Sequence, residues 1–198
     1  SSGSGVIVAV IDTGVVLSHP DLQGQLVEGY VFIRQPSSAL DGDGIDPDPS
    51  DPGDLSNPDG SSSFHGTHVT GTVVAATDNA LGVAGVAFGA KVMPLRAVGR
   101  FGGTLYDIEQ AVRFAAGLPN DSGTVPVPHA DIINLSLGST SSTASEQAVY
   151  DQARAAGLIV VAAAGNDGTS TPFYPAAYPG VVGVSAVTIT KTLAPYSN

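Results

Sequence analysis

Four largely apolar runs constrain this chain more than any other feature: Val6–Ile11, Val92–Ala97, Ile132–Leu137 and Leu158–Ala164. A strand with one wet face alternates apolar and polar residues. A run that is apolar at both parities is expected to be buried on both faces, as in parallel sheets covered by helices. Helical patterns lie between the runs, over His65–Ala76, Leu105–Ala116 and Ser145–Ala156. In the last, Ala148, Val149, Ala153 and Ala156 share one face. A further strand is expected over Val181–Val187, after the turn-rich stretch Thr171–Gly180. This alternation predicts an α/β fold of three layers, with a mostly parallel central sheet and helices on both faces. Residues 1–198 read as one domain, with no internal repeat and no linker.

Composition narrows the function classes. At 42% hydrophobic and 13% charged residues, the chain is globular. Its formal charge of −11, with Lys91 and Lys191 the only lysines, argues against a nucleic-acid partner, which needs a basic face. The absence of cysteine removes disulfides and thiol catalysis. No apolar run reaches the roughly 20 residues of a membrane helix, so no membrane partner is expected. Ala39–Gly60, dense in Asp, Pro and Gly, must be a surface loop.

In open parallel sheets, sites form at the carboxyl ends of strands. Asp12, Ser136 and Asn166 stand at or just past such ends. Each also has a structural reading: Asp12 as a turn cap, Ser136 as part of a core strand, Asn166 as a turn residue with positive φ. In His65-Gly66-Thr67-His68, the helix start singles out His65 as the exposed, chemically active histidine and His68 as buried support. A zinc helix would more often space its histidines four apart with a Glu between. Asp12 could fix the His65 tautomer and stabilise its imidazolium. The Asn166 amide could donate to a developing oxyanion.

Taken together and in order, Asp12-Thr13-Gly14, His65-Gly66-Thr67-His68-Val69-Thr70-Gly71, Asn134-Leu135-Ser136-Leu137-Gly138 and Ala163-Ala164-Gly165-Asn166 resemble the subtilisin-like (subtilase) family of serine peptidases, bacterial secreted type. Ser18-His19-Pro20-Asp21-Leu22 and Tyr174-Pro175-Ala176-Ala177-Tyr178-Pro179 extend the resemblance over nearly the whole chain. The resemblance implies that Asp12 orients the imidazole, that His65 is general base and then general acid, and that Asn166 holds the oxyanion. It implies peptide or protein substrates bound between Gly103 and Leu105 on one edge and Ser136, Leu137 and Gly138 on the other. Ala163, Ala164 and Gly165 would wall a roomy first pocket, and Leu105 a deeper apolar one. Calcium is the implied cofactor, held by Asp21, the Asn79 side chain and the carbonyls of Thr77, Leu81 and Val83; such oxygen-only ligation suits a hard cation. The loop Asp41–Asp54, with close carboxylates in Asp41-Gly42-Asp43-Gly44-Ile45-Asp46, is a second candidate cation site, or else a solvated acidic insertion.

The family's nucleophile motif, Gly-Thr-Ser-Met-Ala, is absent. The resemblance places it beyond Asn198, and a strand region before Val6 is also missing. These residues are then a partial catalytic domain, inactive alone: a partial chain, one piece of a nicked enzyme whose C-terminal segment is its partner, or a natural peptide- or calcium-binding fragment. Secretion is the implied location.

Overall fold

A computed structural model of the chain describes residues 2–198. Strands β1 (Ile7–Asp12), β2 (Tyr30–Val31), β3 (Lys91–Arg96), β4 (Ile132–Leu135), β5 (Ile159–Ala163) and β6 (Val182–Val184) form one sheet in the order β2-β3-β1-β4-β5-β6. All neighbours are parallel. Besides the short α1 (Pro36–Ala39), the helices are α2 (His65–Val74), α3 (Leu105–Ala115) and α4 (Ala144–Ala155).

Successive residues of β1 enter different cores. Ala9 and Ile11 pack with Ala111, Val112 and Phe114 of α3 and with Val149 and Ala153 of α4. Val8 and Val10 pack with Val74 of α2. The sheet therefore carries helices on both faces, which is the expected α/β three-layer arrangement. Thr104 and Thr143 cap α3 and α4, accepting the N–H groups of Asp107 and Glu146. No such side chain caps α2; its N-cap, Phe64, sits in the left-handed region at φ 48.

Burial on both faces, expected of all four apolar runs, holds for β1 and β3 but not for the far side of the sheet. Ile159, Val182 and Val184 are 54%, 49% and 51% exposed. Ile132 pairs with Ile159 and Val161 with Val182, so these residues share the face that α2 covers elsewhere. The physical reason is reach, because α2 packs mainly on β1 and β3. Strand limits also differ from expectation. β4 ends at Leu135, which frees Ser136–Gly138 from the ladder, the strand expected over Val181–Val187 is confined to Val182–Val184, and the two-residue edge strand β2 had no pattern long enough to read.

Candidate active site

β1 carries Asp12 to the carboxyl edge of the sheet, and Gly14 turns the chain at φ 97. The first turn of α2 lies directly on that turn, since a Cβ at Gly66 would strike the Gly14 carbonyl. This contact sets His65 over Asp12. Its Nδ1 is 2.8 Å from Asp12 Oδ1 and 2.9 Å from Oδ2. Asp12 Oδ1 also accepts the Thr13 N–H at 2.8 Å. The carboxylate can only accept, so in the neutral ring Nδ1 carries the proton and Nε2 keeps its lone pair. The His65 side chain is 49% exposed and that of Asp12 3%, so the ring faces outward from a buried anion. The hydrogen bond to Asp12 raises the His65 pKa against the effect of burial, and the charges of Asp12 and Asp54 add to the rise. Burial pushes Asp54 up, but hydrogen bonds from Ser63 and Ser56 outweigh it and hold that carboxyl at about 2.

The other wall comes from the ends of β4 and β5. A cavity of about 440 Å³ is lined by Gly103, Leu105, Ser136, Leu137, Gly138, Ala163, Gly165 and Asn166. Val98, also in its wall, donates its N–H to the Asp12 carbonyl, which ties the cavity to the His65–Asp12 side. Ala163 and Gly165 are in the cavity wall and Ala164 between them is not; its N–H pairs with the Val184 carbonyl at 3.0 Å. One reading needs correction. His68 is exposed and not buried support, since α2 buries Gly66, Thr70 and Val74 and turns His68 away. Glu146, not read as a site residue, is also in the cavity wall. Burial raises the Glu146 pKa, against the hydrogen bond it accepts from Tyr178 Oη at 2.7 Å. The helical pattern around Glu146 showed only a polar residue in a first turn, with no sign that it faces the cleft. Phe173 and Tyr174 were likewise not read as site residues, yet both line the cavity, and Tyr174 pairs with Ser139 through two backbone hydrogen bonds.

The loop Thr77–Val83 forms a separate depression of about 300 Å³. Asp21, only 3% exposed, points its carboxylate at the loop and accepts Asn79 Nδ2 at 2.7 Å and the Val83 N–H at 3.1 Å. These bonds hold the Asp21 carboxyl below its usual range. A buried carboxylate and a side-chain amide oxygen are donors of the kind a hard divalent cation takes, but the groups that face the Asp21 carboxylate here are the Asn79 NH2 and the Val83 N–H. Asp41, Asp43 and Asp46 bring oxygens within 4.8 Å of one another, with Asp41 paired to Arg96. Among the described residues no helix is long and apolar enough to cross a membrane.

The subtilase family model matches residues 3–198. An extracellular protease of Xanthomonas campestris is 43% identical over 100% of this chain and 36% of its own length. A thermophilic serine proteinase of a Bacillus species is 43% identical over 98% of this chain and 41% of its own length. A solved protease structure from Pseudoalteromonas arctica superposes with a TM-score of 0.93 at 44% identity, covering 100% of this chain and 61% of that one. The chain thus spans about two-fifths or less of these two curated relatives.

Proposed function

This chain belongs to the subtilase family, and from that premise we propose that it supplies the base, the oxyanion donor and the substrate cleft of a secreted serine endopeptidase. The observation that carries the reading is the Asp12–His65 contact at 2.8 Å, with a buried carboxylate behind an exposed ring. His65 Nε2 takes the proton of an attacking serine hydroxyl and returns it to the leaving amine, while Asp12 stabilises the imidazolium between the two steps. Asn166, exposed in the turn after β5, donates its amide to the carbonyl oxygen as negative charge grows there. An extended peptide lies between the Gly103–Leu105 edge and Ser136–Gly138, pairing its backbone with both.

The serine is proposed to come from a segment outside these residues. The uncovered apolar face of β5 and β6 supports this, because it offers a covering segment a place to bury Ile159, Val182 and Val184 next to the cleft. Calcium is proposed at Asp21, with Asn79 turned to present its oxygen and the carbonyls of Thr77, Leu81 and Val83 completing the shell. The ion would brace the loop and take no part in the chemistry.

A second reading, a peptide- or calcium-binding chain without turnover, is favoured by one observation. Among the described residues, no serine hydroxyl is hydrogen-bonded to the His65 ring; the contact with Ser63 is made by the His65 backbone N–H. One experiment separates the two. The chain is combined with a segment carrying the family's serine motif and given a chromogenic peptide. Hydrolysis that is blocked by a serine-directed inhibitor and falls about 10⁶-fold in His65→Ala supports the peptidase. Peptide binding with no hydrolysis supports the second reading. Hydrolysis indifferent to His65→Ala removes His65 as the base.

A further inference from the structure

Behind the Asp12 turn lies a buried carboxylate that the proposed chemistry does not use. Asp51, 8% exposed, belongs to the acidic loop, and both its oxygens face donors. Oδ2 accepts the Thr13 hydroxyl at 2.7 Å, and Oδ1 accepts the Gly53 N–H at 2.8 Å. An ionised carboxylate can accept both donors, one on each oxygen. Burial pushes the Asp51 pKa up, while the Thr13 and Gly53 hydrogen bonds and the Arg96 charge oppose the rise.

Thr13 connects this carboxylate to the site. Its N–H donates to Asp12 Oδ1 at 2.8 Å. Its Oγ1 accepts the Gly66 N–H at 3.0 Å, one residue after His65. The first-turn N–H groups of a helix need outside partners; Phe64 at the N-cap of α2 offers none, and Ser63 Oγ accepts only the His65 N–H, at 3.3 Å. Thr13 provides one from another element. A threonine hydroxyl has a single proton. With the Gly66 donor already on the oxygen, that proton needs an acceptor, and Asp51 is that acceptor.

We propose that Asp51 is a positioning residue for the His65–Asp12 pair: its carboxylate takes the Thr13 hydroxyl proton and so fixes Thr13 Oγ1 as the acceptor that holds the first turn of α2 over Asp12. The backbone anchors the loop independently of this side chain, through Val15 N–H to the Pro49 carbonyl and Asp51 N–H to the Val15 carbonyl, each 3.0 Å. Removing the carboxylate therefore loosens the helix start without detaching the loop. Asn at position 51 cannot replace Asp, because it has one acceptor oxygen for two donors. Only the catalytic consequence rests on the peptidase reading; the effect on His65 does not.

The test follows the His65 ring by NMR titration in Asp51→Asn, Thr13→Val and Thr13→Ser, with a thermal melt of each. The charges that act on His65 are those of Asp12 and Asp54, and those that act on Asp51 are Arg96 and Asp54. Asp51→Asn also removes a charge, whereas Thr13→Val removes none, so agreement between the two isolates positioning from simple electrostatics. Asp51→Asn and Thr13→Val are both expected to move the His65 pKa back toward the ordinary histidine value, and Thr13→Ser is expected to retain the parent titration. In the chain joined to the serine segment, the first two should lower kcat about 10-fold with KM changed less than about twofold. An unchanged His65 titration in a cooperatively melting Asp51→Asn or Thr13→Val overturns the proposal. If Asp51→Asn fails to fold, Thr13→Val decides alone. A shifted titration in a chain that never hydrolyses peptide keeps the positioning role and removes the peptidase reading.

Discussion

The two walls of the cleft are held in opposite ways. On the base side, Asp12, Thr13 and Arg96 are 2%, 4% and 1% exposed, and each makes hydrogen bonds to a different segment. On the amide side, Asn166 begins an exposed turn, tied down chiefly by Asn198, whose Oδ1 accepts the Asp167 N–H at 2.9 Å, and by Gly168 N–H to the Tyr196 carbonyl at 2.8 Å. The difference follows the charge each wall carries. An ion pair whose charge state changes during reaction gains from a fixed, dry partner, since interaction energies there depend steeply on distance and solvation. A neutral amide donor needs only direction, which a short turn can give.

The sharpest way to break this comparison is to alter each wall in the chain joined to the serine segment. Asp12→Asn should lower kcat about 10⁴-fold by releasing the His65 tautomer, while Asn166→Ala should cost about 10²–10³-fold. Equal losses would mean that the two walls are matched in importance. Asn198→Ala, which removes the support of the amide turn, should cost about 10-fold in kcat and little in KM. No loss there would show that the turn holds itself.

A fourth prediction concerns pH. Because the His65 pKa is raised, the acid limb of kcat/KM should lie above the ordinary histidine value near 6.5. Asp54→Asn, which removes a contributing charge, should move that limb to lower pH; a pH–rate profile checks it. The same group acts on stability with the opposite sense. A raised folded pKa stabilises fully below the unfolded value and is lost as pH rises through the folded one, so activity appears as this contribution disappears. The smallest effect expected is from calcium. Millimolar calcium should raise the melting temperature of the chain by mass action, and Asp21→Asn should abolish that rise.

Much of this was legible in the sequence where a pattern is long or a motif is local. The runs that became β1 and β3 announced themselves because both of their faces are buried, and Asp12 and His65 because each sits at the end of an element. What was not legible depended on contacts between distant segments. Nothing local in Tyr30-Val31 marks an edge strand. His68 looked internal because its helix is apolar, but which side of a helix faces the sheet is fixed by where Gly66 meets Gly14. Glu146 and Phe173 reach the cleft only because the turns after β4 and β5 converge. The bareness of β5 and β6 on one face could not be read, since their residues are as apolar as those of the covered strands.

The strand order carries a kinetic consequence. β1 is first in the chain but central in the sheet, and its partners arrive late: Ile7 aligns with Lys91, and Val8 with Ile132. Each pairing closes a long stretch of chain before any ladder bond rewards it, so assembly of the middle of the sheet is intrinsically slow. Asp12 becomes rigid only when that middle is complete. In the proposed peptidase, the Asp12–His65 pair would therefore be set only after β1 has gained its partners on both sides.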